Sequence, residues 1–132
     1  MVFADIESIV FSRLKNAVNK KLKKKYPDLS FTTSNKIGSN VKYPYVYVHL
    51  MDSPERGNNL EGDIISGVYA SFQIEVNDLE SQERAKDVAF CITEEMKKMR
   101  FQTTMFPYAN NTDSNFRVIT RFRRTIAQDD VL

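Results

Sequence analysis

The sequence predicts a single α+β domain in the order α-β-β-β-α-β-β, with two helices packed on a largely antiparallel or mixed sheet. Three observations carry this. Two segments repeat apolar residues at helical spacing, five others alternate or cluster β-branched and aromatic residues, and no linker or internal repeat divides the 132 residues. A chain of that length with 42% hydrophobic residues is one domain of common size, spanning 1–132, able to bury roughly two thirds of its unfolded surface.

The first helix is predicted from about Ala4 to Lys25, where Ile6, Val10, Leu14, Ala17, Val18 and Leu22 share a face. Asp5 is available as its N-cap, and lysines gather at its C-terminal end, where the helix dipole favours cations. Tyr26-Pro27-Asp28 stops it. Leu29 to Thr33 alternates weakly. After a polar stretch, Tyr43-Pro44-Tyr45-Val46-Tyr47-Val48-His49-Leu50-Met51 gives a dense strand signal, with Pro44 at its mouth, where a missing donor is tolerated.

Pro54, Gly57, Asn58, Asn59 and Gly62 mark 52–63 as a polar, flexible loop or the mobile tip of a long hairpin. A long strand follows, with Val68, Ala70, Phe72, Ile74 and Val76 on one face and Tyr69, Ser71, Gln73 and Glu75 on the other. Ala85, Val88, Ala89, Ile92, Met96 and Met99 form the cleanest helical stripe, opened by Ser81 as N-cap and closed by Lys97, Lys98 and Arg100. Phe101 to Tyr108 and Phe116 to Ile126 read as two further strands across a polar turn, and 127–132 as a tail.

The last strand is the most informative segment. Alternation puts Arg117, Arg121 and Arg123 on one side and Phe116, Val118, Phe122 and Ile126 on the other. The arginines then stand in a row about 7 Å apart per two residues, suited to pairing with carboxylates or phosphates. Lys23, Lys24 and Lys25, with Lys20 and Lys21, form a second basic cluster, read first as a solvated helix end and second as a contact for an acidic partner or nucleic acid.

Nothing in the sequence assembles a reaction centre. His49 is the only histidine, and no Ser, Cys or Asp stands at a triad spacing from it. Cys91, the single cysteine, lies mid-helix beside Phe90 and Ile92, where a thiol behaves as a small hydrophobe and fits a reducing cytoplasm. Asp52, Glu55, Glu61 and Asp63 crowd one loop without calcium-loop spacing, and Gly57, Gly62 and Gly67 make no phosphate-binding fingerprint. No metal, cofactor or enzymatic activity is expected. Nineteen basic against 17 acidic residues give a net charge of only +2, without the excess of a dedicated nucleic-acid binder. No apolar run approaches about 18 residues and the N-terminus lacks a signal pattern, so a soluble protein outside the membrane is expected.

In element order and strand texture, the chain resembles the tail terminator proteins of long-tailed bacteriophages, also called tail-completion or tail-to-head joining proteins. The residues that carry the likeness are Tyr43-Pro44-Tyr45-Val46-Tyr47-Val48, the strand from Gly67 to Val76, the second helix and Arg121-Phe122-Arg123-Arg124. The resemblance implies a virion structural protein, assembled in the host cytoplasm. It implies a homo-hexameric ring at the head-proximal end of the tail tube, touching the tail tube protein and the head-tail connector protein. In such a ring, Arg117, Arg121 and Arg123 would face acids such as Glu75 or Glu61 of a neighbour, or a lumen through which DNA passes. A head-tail stopper or other neck protein is the nearest alternative, followed by a small nucleic-acid-binding module, whose affinity would fall steeply with salt.

Overall fold

The computed structural model describes residues 2–33, 42–52, 55–56, 67–113, 115–127 and 132. They form α1 (Val2–Leu22), β1 (Ser30–Thr32), β2 (Tyr45–Asp52), β3 (Glu55–Arg56), β4 (Gly67–Asp78), α2 (Gln82–Lys98), β5 (Gln102–Ala109) and β6 (Phe116–Ala127). Two helices and a mixed sheet make a single-domain α+β fold in the expected order, with the two-residue β3 as an addition.

The sheet runs β1-β2-β4-β6-β5, and β3 pairs with the start of β4. Only β1 and β2 are parallel; the other pairings are antiparallel. The long strands β4 and β6 pair from Gly67↔Ala127 to Asp78↔Phe116 without a register shift and form the centre of the sheet. β5 follows β6 less regularly, with irregularities between Thr103 and Met105 and between Met105 and Tyr108, around Pro107, which has no N–H for a ladder.

Both helices cover the same side of this sheet. Ile6, Val10, Leu14 and Val18 of α1 and Ala85, Val88, Ala89, Ile92 and Met96 of α2 are buried against Val46, Val48, Ala70, Phe72, Ile74, Val76, Val118, Phe122 and Ile126. The period of 3.6 on the helices and 2 on the strands therefore meets in one core. Phe101, just before β5, sets its ring edge-on to Phe72 at 5.6 Å.

α2 is closed at both ends by local chemistry. The Ser81 hydroxyl accepts the Arg84 N–H at 3.2 Å, the N-cap bond that the sequence anticipates. At the other end, the Phe101 N–H reaches Met96 O at 3.0 Å and the Arg100 N–H reaches Lys97 O at 2.8 Å, with Arg100 at φ 65. This is the paired-bond ending that reverses a chain through one left-handed residue. The Arg124 guanidinium adds a bond to Met99 O at 3.1 Å. Arg124 thus belongs to the helix side of β6, out of phase with its basic neighbours.

Several boundaries differ from the sequence expectation. α1 begins at Val2, so Asp5 lies in its first turn rather than at the N-cap, and it ends at Leu22, leaving Lys23, Lys24 and Lys25 in a turn. That turn is held by the Tyr26 N–H on Leu22 O at 2.8 Å, which draws Tyr26 into the core. Asp52 completes β2 and Glu55–Arg56 form β3, so the expected 52–63 loop is ordered into the sheet at its start; 53–54 and 57–63 lie outside the described residues. Ala127 is no tail residue, because it pairs with Gly67 at the end of β6. Leu132 packs against the core, while 128–131 lie outside the described residues.

Candidate partner-binding face

With both helices on one side, the other side of the sheet has no described element over it. Its side chains come from the odd rows of β2, β4 and β6, which alternation turns away from the core. The result is a polar and aromatic surface with Arg117, Arg121 and Arg123 along one strand, and the last two are exposed.

These arginines sit in two different environments. Arg117 makes an ion pair with Glu75 of its own chain, Nη1 to Oε1 at 3.4 Å. The register places Glu75 opposite Ile119, so Arg117 reaches it as a diagonal cross-strand neighbour. Glu75, expected to serve a neighbouring subunit, answers Arg117 within its own chain. Arg121 and Arg123 meet no carboxylate among the described residues. Arg121 donates from Nε to Gln73 Oε1 at 2.9 Å, and Arg123 donates from Nε to Gln102 Oε1 at 3.3 Å. The Arg123 guanidinium also lies 5.5 Å from the centre of the Tyr69 ring.

Gln73 joins the two environments. Its Oε1 accepts from Arg121 while its Nε2 donates to Glu75 Oε2 at 3.3 Å. A line of contacts therefore runs Arg121–Gln73–Glu75–Arg117 across the middle of the sheet. Beside it lies a hollow of about 220 Å³ lined by Met51, Tyr69, Ser71, Thr104, Arg121 and Arg123, with Phe72 and Phe122 beneath. The glutamines hold each guanidinium through one nitrogen and leave its charge uncancelled. Such an arrangement is prepared for an oxyanion with an apolar stem.

Sequence reasoning found Arg121 and Arg123 but missed Gln73, Gln102, Tyr69, Ser71, Thr104 and Met51. Alternation puts Gln73, Tyr69 and Ser71 on the wet face of their strand, and only the register with β6 sets them beside the arginines.

The lysine cluster is dispersed rather than assembled. Lys23 donates to Leu29 O at 2.9 Å, and Lys25 bonds Asp87 Oδ2 at 2.9 Å alongside the Tyr26 hydroxyl at 2.6 Å. Lys24 is exposed and has no partner among the described residues. Glu61 lies outside the described residues, as do the side chains of Asp52, Glu55 and Asp63.

The other candidate groups occupy structural positions. His49 stacks on Tyr47 with ring centres 5.6 Å apart on the open sheet face. Cys91 is buried in α2, and burial pushes its thiol up, away from the thiolate that attacks. A second hollow of about 260 Å³ lies near the start of α2, lined by Asp28, Tyr43, Asp78, Leu79, Glu80 and Arg84. There Asp78 Oδ2 accepts the Ser81 N–H at 3.0 Å and pairs with Arg84 at 3.4 Å, while Arg84 also pairs with Glu80. Among the described residues, no group of three or more His, Cys, Asp or Glu is placed to hold a metal ion. No described helix is long and apolar enough to cross a membrane.

No family model matches the chain, and no curated protein matches it. Among solved structures, one chain whose name carries no functional description is similar at a TM-score of 0.47 and 12% identity, over 92% of this chain and 97% of that one.

Proposed function

We propose that this chain is a structural subunit of a phage tail, forming a homo-hexameric ring that caps the head-proximal end of the tail tube, stops its growth and joins it to the head connector. The observation that carries this reading is the uncovered sheet face, on which Arg121 and Arg123 are held by glutamines and not neutralised by any described carboxylate. A protein that acts alone gains little from charges fixed in that way, whereas a subunit interface uses them for orientation and partner choice. The resemblance of element order and strand texture to tail terminators supplies the identity of the assembly. Phe90, Phe106, Tyr108, Leu79 and Met51 are also exposed, and add apolar area for contact.

The test is electron microscopy of particles assembled without this protein. Overlong tails lacking heads are the expected outcome, and tails of normal length would overturn the proposal.

A further inference from the structure

We infer that the hollow beside Arg121 and Arg123 is the receiving half of a contact between copies of this chain, and that Phe90 and Glu94 of the next copy's α2 are the inserting half. The inference rests on the ring reading above and names its interface.

The two halves lie on opposite sides of the molecule, one on the open sheet face and one on the helix layer. A contact between unlike surfaces repeats head to tail, which is what ring closure requires. Their chemistry matches. The hollow offers two guanidiniums at its rim and Met51 and Tyr69 for apolar contact. On α2, Phe90 is 52% exposed, which is unusual for a phenylalanine in a helix whose other large apolar side chains are buried. The Glu94 side chain is 70% exposed, and its one described partner, Lys21, stands at 3.9 Å while bonding Glu95 at 2.6 Å. Lys21 is thus committed elsewhere, and Glu94 is the loosely held acid.

The spacings also agree. Residues four apart on a helix set their Cβ atoms about 6 Å apart on one face. On the receiving side, the Arg123 guanidinium lies 5.5 Å from the centre of the Tyr69 ring. Phe90 can therefore enter over Met51 and Tyr69 while Glu94 reaches the guanidiniums. Glutamine anchoring leaves the terminal nitrogens of both arginines for a carboxylate, the geometry in which such pairs are strongest.

Two charge-reversed variants test this, each checked by near-UV circular dichroism for a native fold: Glu94→Arg, and Arg121→Glu with Arg123→Glu. Sedimentation velocity should find self-association weakened about 100-fold in each alone. Mixing the two should restore it, because every subunit then meets a complementary neighbour on both sides. Phe90→Ala should also weaken association. Wild-type association in either charge variant, or a mixture that stays dissociated, overturns the assignment while leaving rings as such intact. A wild-type chain that remains monomeric at about 1 mM overturns it as well, and the tail-length experiment then judges the ring reading separately.

Discussion

The ionic contacts around α2 show how single residues set the response of the fold to pH. Glu95 is buried, which by itself would raise its carboxyl, but hydrogen bonds from Lys21 and Lys98 outweigh burial and hold it below its ordinary 4.5. Asp87 is held below 3.8 by bonds from the Tyr26 hydroxyl and Lys25. Both groups bind protons less tightly in the folded state than in the unfolded one, so their contribution is present above those ordinary values and lost as pH falls through the lowered ones. Chemical denaturation should find stability falling between about pH 5 and pH 3, with a smaller fall in a Glu95→Gln, Asp87→Asn variant. At Cys91, native protein should react with a thiol reagent at least about tenfold more slowly than unfolded protein; equal rates would contradict the burial described. At this scale the sequence identified which residues are unusual but not what they touch. Arg121 and Arg123 stood out by alternation alone, whereas Gln73 and Gln102 became their partners only through pairings between distant strands. Lys25 and Asp87 are likewise 62 residues apart, beyond what periodicity can connect.

Secondary-structure elements were far more legible, because periodicity and capping act locally. α2 follows from Ser81 and a clean apolar stripe, and replacing Ser81 by Ala should cost about 1 kcal/mol in a denaturant titration. β4 follows from strict alternation, and its inward Phe72 is fully buried between β2 and β6 and beneath Phe101. Phe72→Ala should therefore cost about 3–5 kcal/mol, against less than about 0.5 for Thr125→Ala on the exposed side of β6. The misplaced boundaries have physical reasons. Asp52 and Ala127 looked like loop and tail residues by composition, yet each has a β4 partner, and backbone pairing overrides a weak local preference. Conversely, the lysines after Leu22 read as helix, but burial of Tyr26 turns the chain before they can continue it.

At the scale of the whole molecule, the two-layer architecture divides labour between its sides. The helix layer supplies the core, and the open sheet face carries side chains whose removal should spare the fold. Arg121→Gln and Arg123→Gln should shift stability by no more than about 0.5 kcal/mol each, while Arg117→Ala should cost more, because it strands the half-buried Glu75. Thermal melts of the three variants compare them directly.

β6 is the last described strand in the chain and lies inside the sheet, between β4 and β5. During synthesis, β4 and β5 emerge first with no place beside each other, and each keeps a bare edge until Phe116–Ala127 arrives to join them. Final folding therefore waits on a long-range event, the slow kind in which contact order is high and unpaired edges invite aggregation. Nascent chains stalled before Phe116 should accordingly remain protease-sensitive, and those extended far enough to free β6 from the ribosome should become resistant in one step.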